Sequence, residues 1–212
     1  MKKTLALLLL AGLAAAGAGR GQTVNCLVAV VGGQPVTLTD VRIAQEFGLF
    51  DRTVAAAAGD PTLGVLDALI GQKLVLAMAR ESGPGGTDEP ERALADLRAR
   101  LGPEDFAAKL RKFGLRETDL LPYLAERLRF ERVVSARFAA AIPVSRGDVE
   151  KYYQDVYVPE EKGKGVVPGP LDDVRAALEA RLRAELRAAK IADWVRTIRA
   201  QSDVRVNRDC LK

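Results

Sequence analysis

The sequence predicts a mainly α fold with a short β-strand near each end of the chain. Three observations carry this reading. An apolar, β-branched run from Val24 to Val31 stops at Gly32 and Gly33, which is the pattern of a strand and a turn. Val204 and Val206 alternate with Arg205 and Asn207 near the other end, the signature of a half-buried strand. Between them apolar residues recur at three-and-four spacing in one segment after another, as amphipathic helices require.

The first residues carry Lys2 and Lys3, an apolar run from Leu5 to Leu13, and small residues at Ala14, Ala16 and Ala18. Charge, length and small-residue exit predict a signal peptide over residues 1–18, too short to span a bilayer as a helix. The residues before Cys26 are "TVN", without the small apolar pattern of a lipoprotein cleavage site, so no lipid anchor is expected there. The mature chain is expected to be exported and soluble, with no stable membrane insertion.

After the first turn, "QPVTLTD" gives a short extended piece and a helix start, with Thr37 or Thr39 as N-cap and Asp40 in the first turn. A first helix is predicted from about Asp40 to Phe50. The second places Leu63, Leu66, Leu69, Ile70, Leu74 and Ala77 around most of its circumference and stops at Gly83 before Pro84. A helix of that kind is central in its bundle. A third, capped by Thr87 or Asp88 with Pro90 in its first turn, turns Leu94, Leu97 and Leu101 inward. A fourth carries Phe106, Leu110 and Phe113 and ends at Gly114. The fifth is expected from about Thr118 to Ala140, with Pro122 tolerated in its first turn.

A sixth helix starts at Ser145, where Asp148 completes a capping-box pattern, and carries Val149, Tyr152, Tyr153 and Val156. Residues 158–170, "VPEEKGKGVVPGP", read as an exposed loop. From Leu171 to about Gln201 the pattern is helical again. Its stripe of Val174, Leu178, Leu182 and Leu186 breaks near Ala188, before Ile191, Trp194, Val195 and Ile198. A bend or a change of packing partners is expected there.

The composition excludes several chemistries. The 212 residues include no histidine, which removes Ser-His-Asp and Cys-His nucleophiles, His-containing zinc sites and imidazole acid-base work. Two cysteines cannot build a four-thiolate site. No catalytic, cofactor-binding or metal-binding residue is assigned. A formal charge of +4, or +2 once Lys2 and Lys3 are removed, is no footprint for nucleic acid. The arginine-rich stretches interleave Glu and Asp, among them Glu126, Glu131, Glu179 and Glu185, and read as solvated faces with intrahelical ion pairs. In an oxidising compartment Cys26 and Cys210 most economically form one disulfide, the alternatives being two free thiols or an intermolecular bridge.

Two stretches together resemble the SurA-like periplasmic chaperones. In that family a strand leads through "VNGxPIT" to the first helix. Here Val30, Val31, Gly32, Gly33, Gln34, Pro35, Val36, Thr37 and Asp40 stand at those places. "FAAKLRKFGLRETDLLPYLAERLRFERVVSARF" resembles the later part of the same domain through Phe106, Leu110, Gly114, Leu115, Leu120, Leu128 and Phe138. "VSRGDVEKYYQDVY" is similar to the helix that leads into a prolyl-isomerase domain. The resemblance implies a helical chaperone domain, built from residues 19–157 and 171–212, in which the last helix and strand return to pack on the first. It also implies that Cys26 and Cys210 lie on paired or adjacent strands. Residues 158–170 stand where the family usually carries a parvulin domain of about a hundred residues, so isomerase activity is not expected.

The function the resemblance implies is an ATP-independent holdase for unfolded or partly folded exported proteins. The alternative is a non-catalytic assembly subunit with one envelope partner. Phe106, Phe113, Phe130 and Phe138 are candidates for lining a client groove, against the competing reading that residues at helical spacing form core. Tyr152, Tyr153 and Tyr157 are further candidates, because all three are not expected to face one core.

Overall fold

The computed structural model describes residues 25–52, 60–80, 89–140 and 142–211. The predicted signal peptide, the stop at Gly83 and the proposed caps Thr87 and Asp88 lie outside the described residues.

The chain opens with β1 (Leu27–Val31) and β2 (Gln34–Thr37), paired antiparallel. Gly32 and Gly33 join them with φ of 54° and 77°. Positive φ at both turn positions is what a tight type I′ hairpin demands, and glycine adopts it at little steric cost. Thr37 is the N-cap of α1 (Leu38–Phe47). Its hydroxyl accepts from the Asp40 amide, and the Asp40 carboxylate accepts from the Thr37 amide at 2.8 Å. Asp40 also accepts from the Tyr123 hydroxyl at 2.7 Å, which ties this cap to α5. Gly48 closes α1 in the left-handed region, three residues before the expected end.

Helix α2 (Pro61–Arg80) is the central element. By length and composition it could cross a membrane, with a mean hydropathy of 1.5. Most of that apolar circumference is instead covered by protein, by β1, α1 and two helices later in the chain, while Ala77 stays exposed. Helices α3 (Pro90–Leu101) and α4 (Pro103–Phe113) each begin with proline, where no intrahelical amide bond is lost. A single 3₁₀ turn, Glu117–Leu120, leads into α5 (Leu121–Arg137).

The capping box predicted at Ser145 and Asp148 starts α6 (Arg146–Tyr152). The expected loop at 158–170 is corrected in its first half. The chain widens into a π turn over Tyr153–Tyr157 and continues as α7 (Val158–Gly163), so only residues 164–170 form the loop. Pro159 lacks the amide that would bond the Asp155 carbonyl, and its ring needs room beside the preceding turn. The wider turn lies where that room is needed. Arg181 then grips Glu160 with two hydrogen bonds of 2.7 and 2.8 Å, holding α7 against α8.

Helix α8 (Leu171–Ala200) has 30 residues and is about 45 Å long. It changes partners midway, as the broken stripe predicts. Its first half packs Val174, Leu178 and Leu182 against Val149, Tyr152, Tyr153, Val156 and Tyr157. Its second half packs Ile191 and Val195 against Val75, Leu76, Phe130 and Val134 of α2 and α5. The main core lies beyond, where the sheet, α1 and α2 enclose Val28, Val36, Ile43, Phe47 and Ile70.

After α8, β3 (Val204–Val206) pairs antiparallel with β1, giving the order β2-β1-β3. The fold is thus mainly α with one small sheet made by the first and last segments. Cys26 and Cys210 are disulfide-bonded, with Cα atoms 5.9 Å apart. The bridge links the start of β1 to the short turn that follows β3.

Candidate functional site

The seven aromatic candidates do not come together as one site. Phe106 and Phe130 are 1% and 0% exposed, so they are core and not an open lining. Phe106 stands edge-on to Phe47, and Phe113 tilts against the same ring at 6.5 Å. Phe130 belongs to the α2–α5–α8 cluster. Phe138 stands edge-on to Trp194 there, with the Arg137 guanidinium 4.6 Å from the indole centre.

All three tyrosines face the α6–α8 cluster, against the expectation. Residues 152, 153, 156 and 157 form two adjacent rows on a helix, and a stripe at least 100° wide buries both rows. Tyr152 is buried, and its hydroxyl donates to Glu185 at 2.6 Å. Burial first, and then the Glu185 carboxylate, push the Tyr152 phenol up to about 12. Tyr153 and Tyr157 stack on one another, and Tyr153 donates to the Gly169 carbonyl. Tyr153 thereby ties the 164–170 loop to the π turn that follows α6. Around them, the Arg181 guanidinium holds the Glu160 carboxyl below the usual carboxylate range.

The feature with the form of a binding site lies elsewhere. Between its two packing regions α8 stands clear of α5, leaving an open groove with a volume of about 510 Å³. One wall is the α8 stripe of Ala180, Arg183, Ala184, Arg187, Ala188 and Ile191. The other is Glu131, Val134 and Ser135 of α5, with Asp51 at the mouth. The groove exists because α8 presents alanines on the face that carries Ile191 and Val195 in the following turns. Ala180 and Ala184 are exposed and Ala188 is half-buried. From Ala180 to Ile191 the stripe runs about 16 Å, enough for about five residues of extended chain.

The rim is charged. Glu131 accepts from Arg127 Nε at 2.7 Å. Arg183 donates to Glu179, and through Nε to the Ile142 carbonyl at 3.3 Å. Beside the groove, Arg127 and Arg100 donate to the Gly48 and Phe47 carbonyls. They supply the cations that the last turn of α1 lacks. Among the described residues no group of three Asp, Glu, Cys or His side chains stands close enough to hold a metal ion.

The sequence reading missed this groove. Its one sequence signal is the i, i+4, i+8 series Ala180, Ala184 and Ala188, on the helix face that Ile191 and Val195 continue. Compared with known proteins, the chain matches no family model and no curated protein.

Proposed function

We propose that the protein is an exported, ATP-independent holdase that takes extended apolar segments of unfolded proteins into the groove between α5 and α8. The observation that carries this reading is the groove itself: open, floored by Val134, Ile191 and alanines, and rimmed by charge. Apolar surface edged by polar groups is what a reversible peptide site needs. The resemblance to the SurA-like chaperones supports the same reading, and the disulfide suits an oxidising compartment outside the cytoplasm. Binding a client costs ordering entropy that broad contacts only partly offset, so affinity is expected in the micromolar range. No side chain is given a catalytic role, and a flat rate is expected in a proline-limited peptide assay.

The test is anisotropy titration of several unrelated fluorescent unfolded peptides against wild type and Ala184→Trp. Position 184 is exposed, so the indole fills the groove without displacing core. Saturable binding by wild type and at least tenfold weaker binding by a variant with unchanged circular dichroism supports the proposal. Equal binding by both sinks it.

A second reading, a subunit dedicated to one folded envelope partner, draws on the tip of the helical hairpin. Val166 and Val167 are 50% and 88% exposed there. One stoichiometric partner in a pull-down, lost in Val167→Asp, favours that reading.

A further inference from the structure

Two of the charged side chains lining the groove are paired with their neighbours. Glu131 is engaged by Arg127, and Arg183 by Glu179 and a backbone carbonyl. Arg187 differs. It lines the groove half-buried, and among the described residues nothing hydrogen-bonds or ion-pairs its guanidinium, whose Nε is packed inside the wall while the terminal nitrogens are not buried. No carboxylate there forms a salt bridge with it. The terminal nitrogens of an unpaired guanidinium meet a carboxylate with paired, charge-assisted hydrogen bonds.

We propose that the groove selects segments in which an acidic side chain is flanked on both sides by apolar residues, with Arg187 receiving the carboxylate. This rests on the holdase reading of the same groove. The placement of Arg187 argues for a side chain over a chain terminus. Ala184 lies on one side of it along α8, and Ala188 and Ile191 on the other. A segment crossing Arg187 can bury apolar residues both before and after its carboxylate, whereas a segment ending there leaves half the groove empty.

The experiment uses fluorescent peptides blocked at both ends, with one central residue, Glu or Gln, between apolar pairs. A third peptide has central Gln and a free C-terminal carboxylate. Each is titrated against the folded protein at constant ionic strength. Wild type is expected to bind the Glu peptide about three- to tenfold more tightly than the Gln peptide, the range for one partly exposed charge-assisted contact. In Arg187→Gln that ratio is expected to fall to about one, with the melting temperature unchanged. Equal affinities in wild type, a ratio that persists in Arg187→Gln, or a preference shown only by the free C-terminus overturns the proposal. If wild type discriminates nothing but Ala184→Trp still abolishes binding, the acidic preference fails and the groove reading stands. If no peptide binds, both fall.

Discussion

Replacing both Cys26 and Cys210 by serine tests what the disulfide contributes. The bridge closes a loop with a sequence separation of 184. Loop-closure entropy in the unfolded chain then corresponds to about 5 kcal/mol at 25 °C, an upper value because residual structure in the denatured chain reduces it. Little else holds this corner. Strand β3 has three residues and meets β1 only from Ala29 to Val31. The 3₁₀ turn Arg208–Leu211 contributes only half-buried Cys210 and Leu211 to the core. The expected loss in unfolding free energy is therefore about 3–5 kcal/mol. For a domain of this size that is roughly 10 °C in melting temperature. Urea titration followed by Trp194 is the assay, since the chain has one tryptophan and it reports directly on the α5–α8 packing. The denaturant slope should also rise, because the unbridged unfolded chain is more expanded. A midpoint that shifts by an amount equivalent to less than about 1 kcal/mol refutes the reasoning, since so small a shift leaves no room for the loop-entropy contribution.

Two other outcomes are expected. Glu46 accepts from both Lys109 and Lys112, which hold its carboxyl below the ordinary value. Its contribution is thus complete above the unfolded-state pKa of about 4.3 and is lost as pH falls through the lower folded value. Glu46→Gln should flatten the acid side of the stability-pH curve measured by urea midpoints and leave its shape above pH 6 unchanged. Phe130→Ala removes a fully buried ring at the junction of α2, α5 and α8. It should cost about 3–5 kcal/mol in the same titration.

Local chemistry was the legible part of the sequence. Thr37 and Asp40, Ser145 and Asp148, and Gly114 each fix a helix end through atoms within a few residues; the last two stand where the sequence places them, and Thr37 is one of the two caps the sequence allows. The central position of α2 was also legible, because apolar residues around most of a circumference require cover on most sides. Helix α7 was hidden by Pro159 and Gly163, which read as breakers. A π turn and the Glu160–Arg181 contact, 21 residues apart in the chain, outweigh them. The aromatic candidates went astray for a related reason: helical spacing marks a buried face but does not say which faces stay open. A groove is a gap between elements distant in sequence. Its trace here is only three alanines at one-turn intervals in α8.

The sheet joins strands far apart in the chain, and this orders events during synthesis. Strand β1 finds β2 at once across a two-residue turn, but its other edge stays unpaired until α8 and β3 have emerged. Pairing across so long a separation is slow, and an open strand edge is prone to mispairing meanwhile. Until β3 emerges, the sheet stays at a two-strand stage. Bond formation between Cys26 and Cys210 marks the end of that stage, and a chain halted before Cys210 has no means of reaching it.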